Sequence, residues 1–93
     1  MDEKFFAKHP DSTKQGVNIS KTKYDAMRGA ILAALANGGE LTIKELFAAV
    51  SKTLKGKFDG SINWYTTVVK LDLEARNVIE RVPKSKPHRV RLK

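Results

Sequence analysis

The sequence contains no cysteine. This absence excludes disulfides, thiolate metal sites and thiol nucleophiles, and it fits a reducing compartment. The chain also lacks any apolar run near the roughly 20 residues that a membrane-spanning helix needs. Its acidic, polar start does not have the form of a secretory signal. We therefore expect a soluble, cytoplasmic protein.

Side chains that carry out enzyme chemistry are scarce as well. The two histidines, His9 and His88, have no carboxylate nearby at the spacing of a catalytic triad or a metal site. The chain has no glycine-rich phosphate loop, and its acidic residues are scattered rather than paired. The sequence therefore predicts neither catalytic activity, nor a metal ion, nor a cofactor.

Basic residues, by contrast, are abundant and unevenly distributed. A chain of 93 residues makes one domain with a modest core. It carries 18 Lys and Arg against 10 Asp and Glu, for a net charge of +8. Residues 77–93 hold six of the basic groups and one acidic group, whereas residues 57–76 are balanced. This asymmetry favours a polyanionic partner and places it near the C-terminal end of the chain.

Three helices are predicted from spacing and capping signals. Ser20 is a plausible N-cap for a first helix over residues 21–36. Thr42 and Glu45 fit a capping box at the start of a second helix over residues 43–54. The third helix is expected to begin near residue 59 or 61 and to run to about residue 76.

The rest of the chain is predicted to be an arm and a hairpin. Residues 1–19 lack clear periodicity and are interpreted as a partly ordered N-terminal arm, outside a domain over residues 20–93. Residues 78–82 and 88–92 have the short alternation of β-strands, and the basic, proline-containing turn between them makes a hairpin. The expected fold class is therefore α+β, with three helices followed by a C-terminal β-hairpin.

The third helix is apolar over a wide arc. One stripe comprises Ile62, Tyr65, Val69 and Leu73; a second comprises Trp64, Val68, Leu71 and Ala75; the polar face comprises Asn63, Thr67, Lys70 and Glu74. Trp64 is expected in the core or at an interface, since it lies on the apolar arc. Asp72 interrupts that arc, and a pair with Arg76 or Arg28 would account for it.

The junction after this helix resembles a known family. The run Leu73-Glu74-Ala75-Arg76-Asn77-Val78-Ile79-Glu80-Arg81 resembles the Leu-Glu-x-x-Gly-hydrophobic-Ile-x-Arg junction of winged helix-turn-helix regulators, with Asn77 in place of the usual glycine. The stretch from Trp64 to Arg81 also resembles a group of small bacterial winged-helix proteins of uncharacterised function. The resemblance covers residues 20–93 and implies a three-helix bundle with a β-hairpin wing that binds double-stranded DNA.

By that resemblance, residues 61–76 would enter the major groove and residues 78–92 would contact the backbone. The implied DNA-binding residues are Ser61, Asn63, Thr66, Thr67 and Lys70 on the helix, and Arg81, Lys84, Lys86, Arg89 and Arg91 on the wing. Asn and Thr can bond base edges, whereas Lys and Arg neutralise phosphates. The implied function is transcriptional regulation, in a cytoplasmic protein associated with the nucleoid.

Two other functions remain open at this point. The wide apolar arc of the third helix could bind a protein partner or a second copy of the chain, without sequence-specific reading of DNA. A buried Trp64 favours DNA binding, and a Trp64 exposed beside Val68 and Leu71 favours a protein partner or a homodimer. The charge alone is also compatible with RNA.

Overall fold

In the computed structural model, which describes residues 3–11, 13–84 and 86–93, three helices and two small antiparallel sheets form an α+β fold. The elements are β1 (Lys4–Ala7), β2 (Val17–Ser20), α1 (Lys21–Gly38), β3 (Leu41–Thr42), α2 (Ile43–Leu54), α3 (Ile62–Ala75), β4 (Ile79–Arg81) and β5 (Arg89–Leu92). Within these described ranges no helix combines the length and apolar character needed to cross a membrane. The expected α+β class is confirmed.

Local capping fixes where the helices begin. The Ser20 hydroxyl accepts the Lys23 amide at 3.2 Å. Thr42 and Glu45 form the complete capping box, since each side chain accepts the other residue's amide. Ser61 caps α3 by accepting the Trp64 amide. The predicted starts of α1 and α2 are confirmed, and α1 runs two residues further than expected, to Gly38.

The C-terminal hairpin is tied to the body of the domain by a third strand. β5 lies between β3 and β4, with Val90 opposite both Leu41 and Arg81. Val90 is fully buried and anchors the middle of the sheet. The turn between β4 and β5 therefore projects from a sheet whose centre belongs to the core.

The predicted N-terminal arm is a hairpin packed on the helices. β1 and β2 pair in register from Lys4 opposite Ser20 to Ala7 opposite Val17. The Phe5 ring stacks on Tyr24 of α1, with 4.0 Å between ring centroids. Residues 1, 2 and 12 of the predicted arm lie outside the described residues. The described part precedes the helices and contributes to the same core as they do.

That core lies between the three helices and is closed at its edges by both sheets. Its members are Ala7, Ile19, Tyr24, Met27, Ala30, Ile31, Leu35, Leu46, Val50, Leu54, Val69, Leu73, Ile79 and Val90. On α3, the members of this cluster are Val69 and Leu73 of the first apolar stripe. Of the second stripe, Val68 packs against the cluster from its edge, whereas Trp64 is exposed.

Candidate nucleic-acid interface

A helix C-cap sets the direction in which the chain leaves α3 for the basic hairpin. Asn77 adopts a left-handed conformation with φ of 62°. Its amide donates to the Glu74 carbonyl at 3.1 Å, and the Val78 amide donates to the Leu73 carbonyl at 2.9 Å. This pair of bonds is the Schellman arrangement, for which Asn is the second choice after glycine. The cap brings β4 back along α3 and places the hairpin beside it.

Four of the predicted wing cations lie exposed on this hairpin: Arg81, Lys84, Lys86 and Arg89. Lys84 and Lys86 flank the turn, beside a shallow depression of about 410 Å³ that Arg81 also lines. Within the described part of the chain, no ion pair is formed by Lys84, Lys86 or Arg89, whereas Arg81 approaches Glu74 at 3.6 Å. Residue 85 lies outside the described residues. The hairpin thus carries a concentrated, largely uncompensated positive charge.

Arg91 differs from its neighbours because carboxylates already hold it. Its Nε donates to Glu80 at 2.8 Å, and its Nη1 lies 3.4 Å from Glu40. The hydrogen bond and charge of Glu80, followed by those of Glu40, raise the pKa of Arg91 above its ordinary value. Its guanidinium therefore neutralises groups of the protein itself, and it is the least available cation of the predicted wing set.

On α3, three of the five predicted contact residues face solvent. Ser61, Asn63 and Thr67 are exposed. The Thr67 hydroxyl donates to the Asn63 backbone carbonyl at 3.1 Å, and so does not bond the Asn63 side-chain amide. These polar groups are uncharged, so they add no phosphate-binding charge to the helix.

The prediction is wrong for Thr66 and Lys70, which the fold buries. Thr66 is fully buried, and its hydroxyl donates to the Ile62 carbonyl at 2.6 Å. Lys70 is 6% exposed, and its Nζ pairs with Glu74 at 3.1 Å. A threonine can enter the core when its hydroxyl bonds within its own helix, and a lysine can do so when a carboxylate compensates its charge. Neither side chain is presented to a groove of DNA.

Beside Asn63 and Thr67, the outward surface of α3 is apolar. Trp64 is 47% exposed, and its ring contacts the edge of Tyr65 at 4.8 Å between centroids. Val68 and Leu71, one and two turns further on, are partly exposed. This is the arrangement that favours a protein contact over base reading.

A buried carboxylate fastens the N-terminal hairpin to α3. Asp72 is fully buried and accepts hydrogen bonds from the Lys8 amide at 2.7 Å, from the Tyr24 hydroxyl and from Arg76 Nε at 2.8 Å. Arg76 also donates to the Phe6 carbonyl at 3.1 Å. The predicted pair with Arg76 is confirmed. The two other donors lie 64 and 48 residues away in the chain, and no local pattern indicates them.

The hydrogen-bonded cluster around Asp72 also changes the pKa of Tyr24. Burial, together with the hydrogen bond to Asp72 and the charge of Asp72, raises the pKa of Tyr24 to about 12. The phenol therefore stays protonated and continues to donate at physiological pH. All of these groups satisfy one another, which is typical of a structural cluster rather than a reactive one.

No metal site is apparent in the described ranges, where no three His, Asp or Glu side chains are grouped as ligands. His9 bonds the Asp11 amide at 3.0 Å within the β1–β2 connection. His88 is exposed at the start of β5.

Comparisons with known proteins identify a family but no function. The model of a family of unknown function, DUF6958, matches residues 4–90. The match begins with β1 and ends within β5, so it includes the N-terminal hairpin. Searches of curated proteins and of solved structures found no match. The chain belongs to the DUF6958 family.

Proposed function

We propose that this member of the DUF6958 family binds double-stranded DNA through its phosphate backbone, with the β4–β5 hairpin as the main contact. The observation that carries the proposal is the set of four exposed cations on this projecting turn: Arg81, Lys84, Lys86 and Arg89. Lys and Arg on a protruding element neutralise phosphates and release counterions, whatever the base sequence. Transcriptional regulation would be one use of such binding.

The order of elements supports a winged-helix arrangement for this binding. Three helices precede the hairpin, as the resemblance implies, and β3 joins the hairpin in one sheet. In that arrangement the hairpin is the wing. The β1–β2 hairpin is an addition to it, packed on the side of α3 that carries Asp72.

Base reading by α3 has weaker support than backbone binding. With Thr66 and Lys70 buried, Asn63 and Thr67 are the polar side chains that the middle of α3 presents to solvent. Trp64 and Leu71 lie on the same outward side. We therefore propose a protein with little sequence preference, and we expect Asn63→Ala and Thr67→Ala to leave its affinity for mixed-sequence DNA unchanged.

Salt dependence tests the backbone contact directly. Four neutralised phosphates give a slope of about −3.6 in log K against log salt, so affinity should fall roughly 100-fold between 50 and 200 mM salt. Binding to a labelled mixed-sequence duplex can be followed by fluorescence anisotropy. The triple variant Lys84→Ala, Lys86→Ala and Arg89→Ala should retain a slope near −1 and bind weakly at 50 mM.

A matched control tests whether DNA affinity depends on the position of the removed cations or only on their number. The triple variant Lys52→Ala, Lys55→Ala and Lys57→Ala removes the same charge from exposed positions at the end of α2 and in the turn that follows. It should keep most of the affinity and the steep slope. An equal loss in both triple variants would mean that net charge alone attracts DNA. No binding of the unaltered protein at 50 mM would refute the proposal.

A second candidate function, contact with another protein through α3, is favoured by one observation. Trp64 is 47% exposed on a neutral helix face, whereas the cations lie on the hairpin. The two surfaces differ in charge, and they are tested separately.

A further inference from the structure

α3 has two apolar stripes; the core covers one of them more fully and the other only in part. Ile62, Val69 and Leu73 point inward, and Val69 and Leu73 are fully buried. At about 100° per residue, the centre of the second apolar stripe lies roughly 135° away around the helix. This stripe, which we call the outer stripe, comprises Trp64, Val68, Leu71 and Ala75. A helix that serves only to close a core needs no such second face.

The spacing of the outer stripe is that of a helix-pairing seam. Its residues follow one another at intervals of four, three and four, which is the repeat of d and a positions in a coiled coil. The seam covers the whole length of α3. Its occupant is therefore expected to be another helix.

The seam is complementary to itself when two copies run antiparallel. Pairing Trp64 with the partner's Ala75 automatically pairs Val68 with the partner's Leu71, because the interval sequence reads the same from either end. The largest side chain then faces the smallest. An antiparallel arrangement also sets the positive N-terminal end of each helix beside the negative C-terminal end of the other. A two-fold symmetric contact needs this kind of self-complementarity.

Charge favours a second copy at this face over any other face. Each chain carries a net charge of +8, so two copies repel one another over most of their surfaces. The exposed positions Trp64 and Thr67 and the half-buried positions Val68, Leu71 and Ala75 contain no ionisable group. The nearest lysine on the helix, Lys70, is buried against Glu74. The outer stripe itself is thus neutral on a strongly basic protein, with Lys8 and His9 of the N-terminal hairpin at its border.

The N-terminal hairpin extends the apolar surface. Val17 is 38% exposed, and with Ala7, Val68 and Leu71 it forms the apolar part of a cavity of about 60 Å³ between the hairpin and α3. The lining of this cavity also includes Lys8, His9 and Gln15 of the hairpin. This cavity lies beside the seam and has the size of one small aliphatic side chain. It provides a recess into which a partner residue can insert.

We propose that two copies of this chain associate through the outer stripe, with their α3 helices antiparallel and Trp64 packed on the partner's Ala75. The exposed part of Trp64 supplies about 100 Å². The whole apolar patch is well below the roughly 800 Å² per partner of a standard interface. The dimer is therefore weak, with a dissociation constant on the order of 100 µM. The inference does not rest on DNA binding.

The single tryptophan provides a direct readout. Trp64 is the one tryptophan of the sequence, so its fluorescence reports the proposed contact alone. Between 10 µM and 1 mM protein, its emission should shift to shorter wavelength while the mass from sedimentation rises from 10.4 kDa toward twice that value. Both changes should vanish in Leu71→Lys. The control Leu92→Lys, at an apolar residue 40% exposed on β5, should leave them intact.

The helix orientation has its own test, since the chain contains no cysteine. A mixture of Val68→Cys and Leu71→Cys should oxidise mainly to the mixed disulfide and not to either symmetric one. Far-UV circular dichroism of each variant establishes that it is folded. A monomer at 1 mM with unshifted Trp64 emission would overturn the proposal. A statistical mixture of disulfides would overturn the antiparallel register.

Discussion

The Tyr24–Asp72 contact makes the stability of the protein depend on alkaline pH in a predictable way. Tyr24 is 4% exposed, and its hydroxyl donates a hydrogen bond to the fully buried Asp72. Loss of that proton would place two negative charges in contact inside the core. We expect the unaltered protein to lose stability between pH 8 and pH 11.5 by more than the variant Tyr24→Phe does.

The size of the effect follows from the pKa of the phenol. The folded state raises this pKa from 10.0 to about 12, so the folded protein keeps a proton that the unfolded chain releases above pH 10. Stability from this proton is complete below pH 10 and is lost as the pH rises through 12. Two pKa units correspond to about 3 kcal/mol in all, of which about 2 kcal/mol is lost by pH 11.5.

The stability of Tyr24→Phe at pH 8 is the reference for this comparison. Tyr24→Phe removes one donor, but Asp72 keeps the Lys8 amide and Arg76. We expect a cost of about 1 to 2 kcal/mol at pH 8. The advantage of the unaltered protein over the variant should therefore shrink to nearly zero at pH 11.5, where the phenol no longer favours folding.

Urea unfolding followed by far-UV circular dichroism at pH 8, 10 and 11.5 measures these differences. All other ionisable groups are the same in both proteins, so the comparison isolates Tyr24. Tyr65→Phe is the control, because Tyr65 is partly exposed and its ring packs on Phe58 and Trp64 rather than on a carboxylate. Parallel loss of stability in the unaltered protein and Tyr24→Phe would refute the reasoning.

Substitutions at Gly16, Gly29 and Asn77 test the local backbone geometry. Gly16→Ala would place a Cβ 2.0 Å from the Ala7 carbonyl oxygen, so the free energy of unfolding from urea titration should fall by roughly 2 kcal/mol or more. Gly29→Ala, in the open middle of α1, should stabilise by about 0.5 to 1 kcal/mol, and a loss there would contradict the explanation. Asn77 has a φ of 62°, a left-handed conformation that a β-branched residue adopts only with strain. Asn77→Val should therefore lower the free energy of unfolding by about 1 to 2 kcal/mol, whereas Asn77→Gly should not lower it. Equal thermal midpoints for the two variants would contradict this explanation.

Features that depend on neighbours in the chain were predictable from the sequence. The capping box of Thr42 and Glu45 is complete within four residues, and so is the Ser20 cap of α1. The pair of Asp72 with Arg76 is one helical turn long. In each case both partners belong to a single local pattern, and helical geometry alone brings them together.

Features that depend on distant partners were not predictable in this way. β1 has no alternation of its own and is defined by its register with β2 across a long connection. Thr66 and Lys70 carry polar groups, and whether they are buried depends on how α3 meets α1 and β4. Trp64 was correctly placed on an apolar arc, but that arc is wider than the core can cover. Of the helix residues implied by the resemblance, those on the inner side of α3 were misplaced.

The fastening of the N-terminal hairpin to Asp72 also has a consequence during synthesis. Lys8 leaves the ribosome 64 residues before the carboxylate that binds its amide. At a synthesis rate of about 5 to 20 residues per second, Asp72 is added roughly 3 to 13 s after Lys8. A two-stranded hairpin is at best marginally stable alone in water, so it completes its packing only once α3 has been made. The first strands of the chain are therefore among the last elements to reach their native places.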